Sequence, residues 1–296
     1  MRRLIWISNA TILAVIGLNM VLPLCEDKAE GAVIDQVELQ SAFKTVRTYK
    51  FGQSRLDLTR IEGYVRDSYG RPANRQKLEA EFVGVLKSPS ATSDGKRWVC
   101  RQLSLIGTAA STSTLGQLLL DKELSDMARY ALERIDAPEA TAQLRLGLKK
   151  TSGTMKVGII NSLGQRRDPL SKPAMIKLLG DSDLEVAMAA ARALGNIGGA
   201  DAAQALAQAR AKAAGRLQHT IVDAYLSCAE LALDAGRKAE ALAIYQKLYT
   251  PGESRQVRIA ALGGLVAAGS PNSENLVVQA VKSKDNVMQA AALSLV

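Results

Sequence analysis

Histidine occurs once in the 296-residue chain, at His219, and cysteine only at Cys25, Cys100 and Cys228. A zinc site built on several histidines, a histidine-based triad and a haem-attachment cysteine pair therefore have almost nothing to draw on. Aromatic residues make up 4% of the chain, leaving few platforms on which nucleic acid bases could stack. No glycine loop sits between a strand pattern and a helix pattern, which removes the usual phosphate cradle. These shortages predict no cofactor and no metal, and they point away from an enzyme. Cys100 and Cys228 lie in apolar helical patterns far apart along the chain, so they are expected to be buried, inert thiols that do not bridge.

What the chain has instead is repetition. Tyr130-Ala131-Leu132-Glu133, Asn161-Ser162-Leu163-Gly164, Arg192-Ala193-Leu194-Gly195, Ala261-Leu262-Gly263-Gly264 and Ala292-Leu293-Ser294 share one short apolar signature. Their leucines fall at 132, 163, 194, 262 and 293, a period of 31 with a gap between 194 and 262 that accommodates two units, one of them lengthened. A period in this range marks a stacked repeat array. Helix pairs are expected at 76–86 with 96–106, 115–120 with 125–135, 140–148 with 155–163, and 173–179 with 184–197. Gly107, Gly164 and Gly198 are expected to stop second helices. Asp121, Asp181 and Asp183 stand where aspartate caps a helix start, which also accounts for the small acidic group around Asp181, Asp183 and Glu185.

Ahead of the array, Arg2-Arg3 and the largely apolar run from Leu4 to Leu24 form a targeting pattern, assigned as a signal peptide or anchor over 1–24. A polar linker over 25–35 follows. The stretch 36–72 reads as a capping helix pair, with Asp57 expected to cap its second helix and Gly70-Arg71-Pro72 breaking the chain. The repeat array is assigned to 73–296.

Val186-Ala187-Met188-Ala189-Ala190-Ala191-Arg192-Ala193-Leu194-Gly195-Asn196-Ile197-Gly198 resembles the second helix of a HEAT-like repeat, and Val257-Arg258-Ile259-Ala260-Ala261-Leu262 is similar. Within 222–250, Ala224-Tyr225-Leu226-Ser227-Cys228-Ala229 with Gly236, Glu240-Ala241-Leu242, Tyr245 and Leu248 resembles a tetratricopeptide hairpin. The resemblance to exported bacterial HEAT-repeat proteins implies an all-α fold, a right-handed alpha-alpha superhelix. It further implies a periplasmic or envelope location. The unpolar ending at Leu293-Ser294-Leu295-Val296 is read as a repeat helix that continues in a longer protein.

Charge supplies the functional colour. The formal net charge is +9, and from Arg145 to Lys177 eight basic residues face only Asp168. In HEAT-like families second helices line the inner curve, so Arg129, Lys156, Arg192 and Arg258 are candidates for a contact ladder. Lys149, Lys150, Arg166 and Arg167 complete the candidate partner-binding set, with Arg166-Arg167 in a turn expected to be the most exposed. The expected function is a non-catalytic protein-binding scaffold whose partner is a protein or an acidic polymer. No nucleic acid partner is expected, and membrane contact only through the N-terminal segment if it stays uncleaved. Two alternatives stay open: the accessory repeat region of a larger exported enzyme, and a HEAT-like chromophore lyase.

Overall fold

The computed structural model describes residues 36–295. The assigned leader, the linker and Cys25 lie outside the described residues. Sixteen α-helices follow one another: α1 Gln36–Thr48, α2 Leu56–Asp67, α3 Pro72–Lys87, α4 Ser93–Ile106, α5 Ala109–Leu118, α6 Ser125–Arg134, α7 Pro138–Lys150 and α8 Gly153–Gln165. A 3-10 turn at Pro169–Ser171 leads into α9 Lys172–Leu178, then α10 Leu184–Ile197, α11 Ala200–Arg210, α12 Gly215–Asp234, α13 Lys238–Leu248, α14 Arg255–Ala267, α15 Ser273–Val281 and α16 Asn286–Leu293. No strand occurs among the described residues.

Odd-numbered helices (A) and even-numbered helices (B) form two layers. Each A helix packs on the B helix that follows it, and the B helices stack on one another without interruption from α2 to α16. The fold is an all-α solenoid. Side chains link neighbouring units at the repeat spacing, as in Arg75 Nε donating to the Ile106 carbonyl at 2.8 Å and Lys172 Nζ to Asp201 Oδ1 at 2.7 Å. Leu132, Leu163, Leu194 and Leu262 are fully buried, so the signature leucines are the core of the stack. In α16, Ala292 is buried like its counterparts Ala131, Ala193 and Ala261, whereas Leu293 is 61% exposed. The next pair covers this position in earlier units, and α16 is the last described helix.

The gap between Leu194 and Leu262 resolves into Tyr225 at the leucine position of α12 and six extra residues before Leu262. They lie in the 20-residue α12 and the turns after it. Ala229 and Ala241 are buried, and the Tyr245 ring lies flat on Gly264.

Two local expectations need correction. Helix α5 begins at Ala109, six residues before the expected 115, because its polar first turns are buried and satisfied internally. Ser111 Oγ donates to the Thr108 carbonyl and Thr112 Oγ1 to that of Ala109. Asp57 is not the cap of α2. It accepts from Thr45 Oγ1 and pairs with Arg60. Helix α8 ends at Gln165, one residue past Gly164, as expected of a second helix that ends near a glycine, and Gly164 meets Ala193 of α10.

The start of α5 also depends on Glu79 of α3, which is 3% exposed and accepts from Thr108 N at 2.7 Å and Thr108 Oγ1 at 2.8 Å. Glu79→Ala leaves the N–H and the hydroxyl of Thr108, the residue that caps α5, without their buried acceptor and is expected to destabilise the array by about 2 kcal/mol. Glu79→Gln keeps one carbonyl acceptor and should lose less. Urea titration of both variants checks the order.

Candidate binding surfaces

The turns fall on two edges. Those joining A to B helices touch one another through Ser93 with Glu123, Glu185 with Arg216 and Arg255 with Asp285. Those joining B to A helices touch through Arg75 with Ile106, Arg166 with Ile135 and Lys172 with Asp201.

The structure distributes the eight candidate cations over separate places. Lys149 and Lys150, at the end of α7, and Lys156, in the first turn of α8, share the A-to-B edge, and none has an ion-pair partner. Arg192 is exposed on α10, likewise unpaired. Arg258 is half-buried beside Tyr249 and Thr250. These positions form no single ladder.

Arg129 is engaged in the fold. Its guanidinium lies across Gly158, donates to Ser162 Oγ at 2.9 Å and pairs with Glu133 at 3.3 Å, while Ser162 Oγ donates to Glu133 at 2.6 Å. This polar knot fills the α6–α8 contact that Gly164 with Ala193 and Gly195 with Ala224 fill in the next two units. The exchange of Glu133 for Gly164 at the repeat position was the available sequence signal.

Arg166 is half-buried, not the most exposed point of the basic region. Its Nε donates to Thr141 Oγ1 at 2.7 Å, and its Nη atoms reach the carbonyls of Leu132, Glu133, Ile135 and Ala137 at 2.8–3.3 Å. A cation bonded to the end of α6 also opposes the negative end of that helix.

Arg167 is exposed, and its φ of 50° lies in the left-handed region. Its N–H bonds to the Gly164 carbonyl and that of Asp168 to Leu163, the two bonds of a Schellman ending. Glycine holds the same place at Gly236 after α12 and at Gly269 after α14. Arg167→Gly is therefore expected to raise stability by about 1 kcal/mol, read as a higher thermal midpoint. Arg145, also in the basic stretch, is paired at 2.8 Å with Asp168, which is buried.

Two hollows remain. The A layer opens between α11 and α13, leaving a groove of about 400 Å³ floored by Tyr225 and Cys228 and walled by Ala203, Ala207 and Ile244. A cleft of about 820 Å³ lies at the B-to-A edge among Arg71, Arg75, Glu79, Thr108 and Asp136. His219 is exposed beside Asp223 and Glu253. Asp181 and Asp183 cap, accepting from the Asp183 and Glu185 N–H groups, and Lys172 holds the Asp201 carboxyl below its ordinary range.

Burial pushes the Cys100 and Cys228 thiols up to about 12. The neutral thiol is thus the form the fold favours. Its stabilisation is present below the unfolded value of 9.0 and is lost as pH rises from there toward 12. Thermal midpoints measured across that window are expected to fall, and a Cys25→Ser chain should resist iodoacetamide until it unfolds.

Residues 141–225 match the family model for HEAT repeats. No curated protein matches the chain. Among solved structures, an engineered protein, Northeast Structural Genomics Consortium target OR497, is 20% identical over 86% of this chain and 76% of its own, with a TM-score of 0.43. Human deoxyhypusine hydroxylase in complex with glycerol is 16% identical over 88% and 94%, with a TM-score of 0.33. The designed armadillo repeat protein YIII(Dq)4CqI is 21% identical over 73% and 98%, with a TM-score of 0.28. The family match runs from α7 into α12, so this stretch of the solenoid is built of HEAT repeats, and the same helix-pair stacking continues on either side of it.

Proposed function

We propose that the chain is a non-catalytic protein-binding scaffold of the cell envelope, carried there by its N-terminal segment. The observation that carries this reading is the unbroken B-helix layer, which presents unpaired Lys156 and Arg192 on neighbouring units while most of the arginines around them are tied into the fold. Rigid, repeated helix surfaces of this kind suit extended partner contacts. Further support comes from Cys100 and Cys228, which are held as thiols and so are unsuited to nucleophilic work.

The test is affinity capture from an envelope extract with the full chain as bait, beside a Lys156→Glu, Arg192→Glu variant. A protein retained by the native chain and lost by the variant supports the scaffold reading. Equal recovery moves the contact off this face, and a chain that retains nothing overturns the reading. Arg129 and Arg166 are left intact because their loss would disturb the stack itself.

A further inference from the structure

Every A-to-B turn has an exposed lysine in it or in the last turn of the A helix that leads into it. Lys50, Lys87, Lys122 and the Lys149-Lys150 pair mark the first four turns, and Lys177, Lys212, Lys247 and Lys282 the last four. Lys172, on the opposite edge, is the one described lysine with an ion-pair partner. Of the seven B-to-A turns, five carry no lysine between the flanking helices' ends, and the other two carry Lys172, paired with Asp201, and Lys238. Lysine at a helix C-terminus relieves the negative end of the helix dipole, which accounts for one such residue but applies equally to the lysine-poor ends of the B helices.

Acidic groups on the lysine edge are already engaged. Asp121 accepts from the Glu123 and Leu124 N–H groups, Glu253 pairs with Arg210, Glu185 with Arg216 and Asp285 with Arg255. None of the lysines on this edge forms an ion pair, although the carboxylates of Asp121, Glu123 and Asp181, which hold only neutral donors, stand among them. The same turns lift apolar side chains into solvent: Phe51, 91% exposed, with Leu56, Leu120, Leu184 and Val287.

We propose that the A-to-B edge docks on an anionic lipid bilayer, its lysines among the headgroup phosphates and the five apolar side chains at the acyl boundary. Both parts are needed for peripheral attachment, electrostatic attraction and apolar insertion. Helix spacing of about 8–10 Å spreads the eight turns over on the order of 60 Å. Isolated flexible cations at that spacing suit mobile headgroups, whereas a folded protein partner is gripped by clustered aromatic and arginine anchors, and the arginines Arg216 and Arg255 of this edge are already tied to Glu185 and Asp285. The apolar run Leu4 to Leu24 after Arg2-Arg3 is a second membrane-directed feature of the same sequence. This docking uses neither Lys156 nor Arg192 and stands or falls without the protein contact proposed above, although Lys156 lies on the same edge.

The test asks which edge meets lipid. In the full chain carrying Cys25→Ser, an environment-sensitive fluorophore is placed through Leu120→Cys or Leu184→Cys on the lysine edge, or Leu170→Cys on the other. Phosphatidylglycerol-containing vesicles are expected to blue-shift the label at 120 and 184, and to leave that at 170 unchanged. Reversing Lys87, Lys122, Lys177 and Lys212 to glutamate should raise the lipid needed for half-maximal shift by well over tenfold, at about fivefold for each lysine removed. These exposed changes should leave the circular dichroism melt in place. A response at 170 as large as at 120, no response at either edge, or an equal response to pure phosphatidylcholine overturns the proposal. So does a shift produced by soluble polyglutamate and not by vesicles, which would make the edge a site for an acidic polymer.

Discussion

Arg166→Ala is expected to destabilise the array by about 3 kcal/mol, a large effect for a half-buried surface arginine. The guanidinium makes hydrogen bonds to Thr141 Oγ1 and to four carbonyls around the end of α6 and the turn into α7. The last carbonyls of a helix have no partner within it, and here the following unit supplies one. Hydrogen bonds to a charged donor contribute about 1.5–3 kcal/mol each when taken singly, but five bonds from one group overlap, so the sum is far below five times that value. Water can reach some of the freed carbonyls because Arg166 is only half-buried, which lowers the cost further. Arg166→Lys should recover little, since one ammonium cannot follow the fork that spans Thr141, Ile135 and Ala137. Equilibrium unfolding in urea measures both, and an alanine variant within 1 kcal/mol of the native chain would mean that the clamp is decorative.

That clamp shows where the sequence was readable and where it was not. The solenoid was legible because each unit repeats the same burial: Leu132, Leu163 and Leu194 occupy equivalent positions and are all excluded from water. A period of 31 survives in the residues that face the core because neighbouring units must match. Arg166 stands at a turn position, where the next copy has Ile197, and nothing local distinguishes a solvated arginine from one that reaches back to the preceding turn. Its role depends on carbonyls more than 25 residues earlier. The start of α5 was hidden for a related reason, since Ala109 to Thr114 lacks an apolar stripe and depends on Glu79 from another helix. The lysine edge was present in the sequence as well. It became visible only when the helix ends were known, because consecutive lysines lie about one repeat apart and fall on one side only through the alternation of A and B helices.

Gly195→Ala tests the stacking rule itself, because helix propensity and packing predict opposite signs. Inside a helix, alanine in place of glycine gains about 0.5–1 kcal/mol where there is room for the methyl group. Gly84 of α3 has that room, with no neighbour within 4 Å of an added Cβ, so Gly84→Ala is expected to stabilise by that amount. At Gly195 an added Cβ would lie 2.9 Å from Ala224 Cα and 3.0 Å from the Ala224 carbonyl oxygen, and Gly164 meets Ala193 Cα at 2.8 Å in the same way. These contacts are with backbone, which cannot move aside by changing rotamer. The helices must separate, and separation loosens the buried side chains on both sides of the α10–α12 contact. Gly195→Ala is therefore expected to destabilise by about 2 kcal/mol after its propensity gain is counted, and Gly195→Val by more. Pairing Gly195→Ala with Ala224→Gly moves the methyl group to the other helix and should restore part of the loss. If Gly195→Ala stabilised as Gly84→Ala does, the close glycine–alanine crossing would not be what sets the spacing between these units.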